Sequence, residues 1–187
     1  MADIQQDTYA TTFIHQQHEQ IRELFDALEK AAPEERAEAF TPLVRLLAVH
    51  ETAEEMVIYP MAARGEAGKE IVEQRKAEED KAKKALVELE QLDPASERFA
   101  TMLERFRHDV LEHAAAEEDE VFPLLTEVTN SEELKAMTSH LEAAEAVAPT
   151  HPHKAAPESA MGNLLVGPFV SMVDRARDVI SDAMKKG

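Results

Sequence analysis

At 187 residues the chain is long enough for one domain with a full core, or for one domain with an appendage. Its 38 acidic residues against 20 basic ones give a formal net charge of −18, which a phosphate backbone or an anionic membrane surface would repel, so neither nucleic acid nor membrane is expected as a partner. The absence of Cys excludes disulfides, thiolate zinc sites, Fe–S clusters and cysteine nucleophiles together.

The first 20 residues hold no apolar run of signal-peptide type, and no stretch approaches 18 uninterrupted apolar residues, so a cytoplasmic protein is the expectation. Few glycines and aromatics, against abundant Ala, Glu, Leu and Lys, favour helix over sheet. Apolar residues recur at helical spacing almost throughout.

A first helix is predicted from about Asp7 to Ala31, with Phe13, Ile14, Ile21, Leu24, Phe25 and Leu28 facing inward. Pro33 should open the second helix, which runs to about Ala63 and stops around Gly65 and Gly68. The third spans about Lys69 to Gln91 and ends before Pro94. Ser96 is the expected N-cap of a fourth, which continues to about Val128. Pro60 and Pro123, late in the second and fourth helices, should kink or loosen their last turns. A shorter helix (about Glu132 to Val147), an Ala/Pro-rich linker over 148–160 and an amphipathic helix from about Leu164 to Met184 follow. Leu165, Phe169, Val173, Ala176 and Ile180 form the stripe of that last helix. The expected architecture is all-α: an up-down-up-down four-helix bundle over 1–128 with additional C-terminal helices over 129–187. That arm either packs back on the bundle or mediates self-association, as a homodimer through the C-terminal helix.

A repeated string carries the chemistry. His50-Glu51-Thr52-Ala53-Glu54-Glu55-Met56-Val57-Ile58-Tyr59-Pro60 is echoed by His113-Ala114-Ala115-Ala116-Glu117-Glu118-Asp119-Glu120-Val121-Phe122-Pro123. Both read His-x-x-x-Glu-Glu, then a β-branched residue, an aromatic and a Pro ten positions after the His. With about one residue in five acidic, a single His-x-x-x-Glu is expected by chance, but the doubled string is not. Residues i and i+4 share one helix face, so each pair aims an imidazole nitrogen and a carboxylate at one point. That donor combination suits Fe, Mn or Zn, and a carboxylate has two oxygens with which to bridge a pair of ions.

In an up-down bundle, groups meet when they lie equally far from the connecting turn. His18 is 15 residues before Pro33 and His50 is 17 after it; Glu54 is 12 before Glu66 and Glu79 is 13 after it. About Pro94, Glu79 lies 15 before and His113 lies 19 after, an excess that loop residues absorb. One layer should therefore hold His18, His50 with Glu54, Glu79 or Asp80, and His113 with Glu117.

At these residues, over roughly 7 to 128, the chain resembles the hemerythrin family, specifically the bacterial hemerythrin (HHE) cation-binding domain. His18, in His-Glu-Gln-Ile-Arg-Glu-Leu-Phe, matches the family's lone first-helix ligand; His50 with Glu54 and His113 with Glu117 match its second- and fourth-helix His-x-x-x-Glu pairs. The resemblance implies two iron ions with a bridging oxo or hydroxo group, Glu54 and Glu117 as bridging carboxylates and the histidines as terminal ligands, with Mn or Zn as substitutes. It also implies O2, NO or peroxide as the small ligand, and a role in sensing, detoxification or redox chemistry. The third helix departs from the pattern: where the family has a His, Lys76-Ala77-Glu78-Glu79-Asp80-Lys81-Ala82-Lys83-Lys84 offers only Glu79 or Asp80. An oxygen-rich donor set stabilises the ferric state, which argues against reversible dioxygen carriage.

Other residues read more plainly. His15 is expected as a partly exposed bystander, Tyr59 as a packed aromatic, and Glu55 and Glu118 as solvent-facing or supporting groups. Asp109, one turn before His113, suits either a surface place or a hydrogen bond to the imidazole. His108 and His140 are expected on the surface, and the Thr150-His151-Pro152-His153 tract in a linker. Two enzyme readings fit less well: ferritin-like di-iron oxidases use Glu-x-x-His, and the metalloprotease motif needs a second His where Glu54 stands. The remaining alternative is an interaction bundle with a degenerate or mononuclear site.

Overall fold

The computed structural model describes residues 10–146 and 168–186. All regular structure among them is helical. Helix α1 (Ala10–Lys30) is followed by α2 (Arg36–Ala53), which passes through a π-helical turn π1 (Glu54–Ile58) into α3 (Tyr59–Ala62). Helix α4 is Glu66–Glu90. Helix α5 (Glu97–Ala116) likewise passes through π2 (Glu117–Val121) into α6 (Phe122–Val128), and α7 (Ser131–Glu145) and α8 (Pro168–Met184) complete the chain.

Local chemistry sets several of these ends. The Ser96 side chain accepts from Phe99 N at 3.1 Å and caps α5. Asn130 and Glu133 form a reciprocal capping box at the start of α7. Pro33 lies in a turn closed by Glu35 N to Ala32 O at 2.8 Å, so α2 starts at Arg36, three residues later than its proline suggested. Gly65 is the N-cap of α4 rather than the stop of the preceding helix. Gly68 packs so closely that a Cβ there would lie 2.0 Å from the Ala62 carbonyl oxygen.

Pro60 and Pro123 each follow a π turn. Tyr59 N bonds back to Glu54 O and Phe122 N to Glu117 O, five residues away instead of four. A proline has no N–H to continue the α pattern and its ring crowds the carbonyl one turn earlier, so the widened turn relieves that crowding. Both π turns begin at the glutamate of a His-x-x-x-Glu pair.

One apolar core runs through the bundle, with Ile14, Phe25, Leu46, Leu86 and Phe106 at 2% exposure or less. Phe25 meets Phe106 edge-to-face at 5.8 Å between ring centroids, and Phe40 meets Phe99 at 5.2 Å. The C-terminal helices join this core. Helix α8 lies along α2 and α7, and α7 also packs on α1. This explains why every residue from Leu46 to Glu54 is buried: α2 has neighbours on all sides. Of the predicted stripe on α8, Phe169, Ala176 and Ile180 are buried and Val173 is partly buried against the core, so these residues face α2 and α7. Leu164 and Leu165, the 148–160 linker with His151 and His153, and the first residues of the expected helix one lie outside the described residues.

Ile180 is fully buried and Val170, on the same helix, is 43% exposed. Ile180→Ala is expected to lower the unfolding free energy by about 3 kcal/mol and Val170→Ala by about 0.5 kcal/mol or less, as measured by urea denaturation. Equal, small effects would show that α8 does not share the core.

Candidate metal centre

The two His-x-x-x-Glu pairs, α1 and α4 converge inside the bundle. His18, His50, Glu54 and Glu117 bring one donor atom each to within 4.8 Å of one another, and Glu54, Glu79, His113 and Glu117 do the same. The two groups share Glu54 and Glu117. His18 Nε2 lies 3.4 Å from Glu117 Oε2 and 3.9 Å from Glu54 Oε1. His50 Nε2 lies 3.3 Å from Glu54 Oε2, and His113 Nε2 lies 3.5 Å from Glu117 Oε2. Donors about 2.1 Å from a common transition-metal ion stand at such separations from each other.

Of the residues singled out from the sequence, His18, His50, Glu54, Glu79, His113 and Glu117 are brought together. Asp80 is not: it is exposed, while Glu79 is 1% exposed. A step of 100° around α4 separates the two, and only Glu79 faces the core side. His15 is half exposed, 3.2 Å from Glu118. Asp109 is exposed and belongs to a surface group with His108 and Glu112. Tyr59 is buried, as expected of a packed aromatic, but its hydroxyl also donates to Glu117 Oε1 at 2.6 Å.

Each imidazole is steadied from behind. His18 Nδ1 pairs with Glu118 Oε1 at 2.8 Å, His50 Nδ1 with Gln17 Oε1 at 3.0 Å, and His113 Nδ1 with Glu78 Oε2 at 3.0 Å. The oxygens of these partners accept, so each Nδ1 carries a proton, and a neutral ring then presents the Nε2 lone pair inward. Phe122 stacks on His18 at 6.2 Å with 3° between planes. Buried Arg75 binds Glu78 Oε1 at 3.0 Å. Lys83 donates to Glu79 Oε2 at 3.2 Å and also to Glu55, and stands 4.0 Å from Glu51 Oε2.

Gln17, Glu78, Lys83 and Arg75 were not singled out from the sequence. A usable signal existed for two of them. Gln17 directly precedes His18 and Glu78 directly precedes Glu79, so each sits beside a donor and is turned toward the neighbouring helix.

The electrostatics of the cluster suit a cation. Burial pushes Glu54 well above the usual carboxylate range, and Glu117 and Glu79 push it further. Burial and the adjacent Glu51 raise Glu79 to about 9, and burial raises Glu51 to about 8. His50 is pushed down to about 3 by burial and by His18. Burial opposes charge on Glu117 too, yet His18 and His113 hold it down to about 2. The hydrogen bond from His18 holds Glu118 at about 2.

Among the described residues ten buried side-chain atoms lack a hydrogen bond; Gln17 Nε2, Gln20 Oε1, Glu51 Oε2 and Arg75 Nε lie outside the two donor groups, and the other six face into the centre: His18 Nε2, both Glu54 oxygens, Glu79 Oε1, His113 Nε2 and Glu117 Oε2. An orphaned buried polar atom is costly, and a set of them facing one another is what a bound cation repairs. The imidazole and carboxylate donors fit iron, manganese or zinc. A cavity of about 680 Å³ reaches the donors between α4 and α5, from exposed Asp109 and Glu112 past Ala82 and Val110 to Glu79 and His113.

Residues 9–125 match the family model of the hemerythrin HHE cation binding domain. The chain is 29% identical over 136 residues to an uncharacterized hemerythrin-like protein of Schizosaccharomyces pombe, covering 72% of this chain and 67% of the relative. Its fold is similar to the crystal structure of a hemerythrin HHE cation binding domain-containing protein from Mycobacterium kansasii, with a TM-score of 0.69 and 21% identity over 90% of this chain and 99% of that one.

The raised carboxylates set a pH dependence for metal-free protein. Glu51 and Glu79 bind protons more tightly folded than unfolded, so their contribution is full below about pH 4.5 and is lost as pH rises through about 8 and about 9. Protein stripped by chelation is therefore expected to lose about 2 kcal/mol or more of unfolding free energy between pH 5 and pH 9. Denaturant titrations across that range check this, and a flat or rising profile would contradict it.

Proposed function

We propose, for a chain that belongs to the hemerythrin HHE cation-binding family, that the buried cluster holds two iron ions and that the pair meets O2, NO or peroxide in sensing, detoxification or redox chemistry. The observation that carries this reading is the two overlapping donor groups that share Glu54 and Glu117. His18 and His50 would complete one position, and His113 and Glu79 the other. Manganese or zinc suits the same donors.

The protein's own contribution is positional. Glu118, Gln17 and Glu78 fix which nitrogen of each imidazole is free. Tyr59 holds Glu117 Oε1 by a hydrogen bond, and Lys83 holds Glu79 Oε2 so that Oε1 turns inward. The apolar packing of Ile21, Leu47 and Val110 limits water at the donors, while the cavity admits a molecule of diatomic or peroxide size. An iron pair held here supplies open coordination positions and a change of oxidation state to such a ligand.

No helix among the described residues is long and apolar enough to cross a membrane.

Metal analysis of protein from iron-replete cells tests the assignment. About two irons per chain are expected, with ferric absorption in the near ultraviolet. His50→Ala and His113→Ala should each reduce the content to about one iron, Glu117→Ala should leave almost none, and Asp80→Ala should leave it unchanged. Full occupancy in both histidine variants would remove those ligands, and a single iron in the parent chain would mean a mononuclear site.

A further inference from the structure

The three imidazoles that face the centre are not backed by the same chemistry. Carboxylates stand behind His18 (Glu118, 2.8 Å) and His113 (Glu78, 3.0 Å), whereas the side-chain amide of Gln17 stands behind His50 at 3.0 Å. A carboxylate draws on the Nδ1 proton and raises the electron density at Nε2, which makes the ring a stronger metal donor. A neutral amide oxygen accepts the same hydrogen bond more weakly. Gln17 is 1% exposed, so bulk water does not take over its task.

The amide's other half identifies what Gln17 adds. Its Nε2 is buried and has no hydrogen-bond partner among the described residues. The only polar contact it makes with the centre is through Oε1, and a glutamate of the same length would supply that oxygen equally well. Neutrality is the property that distinguishes the glutamine.

We propose that Gln17 is a positioning residue that fixes the His50 ring and, being uncharged, keeps His50 the weakest imidazole donor of the three, so that the metal at the His18/His50 position has a higher reduction potential than a carboxylate behind His50 would allow. This rests on the reading of the cluster as a metal centre.

The test uses full-length protein loaded anaerobically with Fe(II), comparing Gln17→Glu and Gln17→Met with the parent chain. Midpoint potential is read by spectroelectrochemistry, iron affinity by chelator competition, and the thermal midpoint on metal-free samples. Gln17→Glu should move the midpoint potential down and tighten one of the two iron equivalents. Gln17→Met should loosen one equivalent by about 10–100-fold. It takes the acceptor away from His50 Nδ1 but also removes a buried amide N–H group that has no partner, so the metal-free thermal midpoint should change little. Should Gln17→Glu fail to fold, the methionine variant decides: with no acceptor behind it His50 becomes a still weaker donor, so the midpoint potential should rise, and an unchanged potential overturns the proposal.

If the parent chain loads iron and both variants match it in potential and affinity, the proposal is overturned and the centre stands. Lower metal-free thermal midpoints with no change in potential or affinity would also overturn it, by making Gln17 structural only. A parent chain that takes up no iron overturns the centre itself and this proposal with it.

Discussion

Carboxylates buried in an apolar interior must be neutralised, protonated or paired with a cation, and this constraint organises the whole molecule. Glu54, Glu79 and Glu117 are each 1% exposed and face one another across the middle of the bundle. Protonation satisfies them only in part, since several donor atoms still lack a partner. A metal ion resolves all of these demands together, because it replaces each missing hydrogen bond with a coordinate bond and cancels the charge. The surrounding apolar layers then serve two ends: they supply the burial energy that tolerates the cluster, and they keep water from competing for the donors.

The backbone meets the same constraint through its two π turns. Both start at the glutamate that the two donor groups share, and both run into a proline that cannot continue the α pattern. Because the wider turn starts only at the glutamate, the i, i+4 geometry of His and Glu is preserved on the α side, while Tyr59 and Phe122 are carried inward on the other. Tyr59 then reaches Glu117 across the bundle, and Phe122 stacks on His18. The repeat thus encodes two donors, a turn and an aromatic support in each copy.

The helical architecture and the donor layer were legible in the sequence because both follow from spacing. His18, His50, Glu79 and His113 fall in one layer by counting from the connecting turns, and the i, i+4 pairs by helix periodicity. The choice between Glu79 and Asp80 was not legible: neighbours on a helix differ by 100°, and only the packing of α4 against its partners decides which one turns in. Glu118 was expected only as a solvent-facing or supporting group, and Gln17 and Glu78 were missed, because all three act between helices. They obey one rule, half of it readable in the sequence and half only in the packed bundle: each is the sequence neighbour of a donor and reaches a histidine on another helix, Gln17 to His50, Glu78 to His113 and Glu118 to His18. Asp109 fails that rule. It precedes His113 by one turn on the same helix, where its carboxylate meets solvent instead.

Helix α4 shows how a carboxylate can join a cluster of its own sign. An ionised Glu79 adds a negative charge beside buried Glu54 and Glu117. Lys83, one turn along α4, answers it: its ammonium binds Glu79 Oε2, and its remaining hydrogen bonding goes to Glu55. An ionised Glu79 and Lys83 together are close to neutral, whereas without a cation burial raises Glu79 to about 9 and favours its protonated form; Glu79 Oε1 is turned toward the donors in the same layer. The pair differs from a histidine in what it offers the metal, a harder oxygen in place of nitrogen, which favours the higher oxidation state of iron. The layer therefore carries a carboxylate paired with an ammonium on α4 where α1, α2 and α5 carry imidazoles, and the two overlapping donor groups differ in chemistry: two imidazoles in one, a single imidazole with Glu79 in the other.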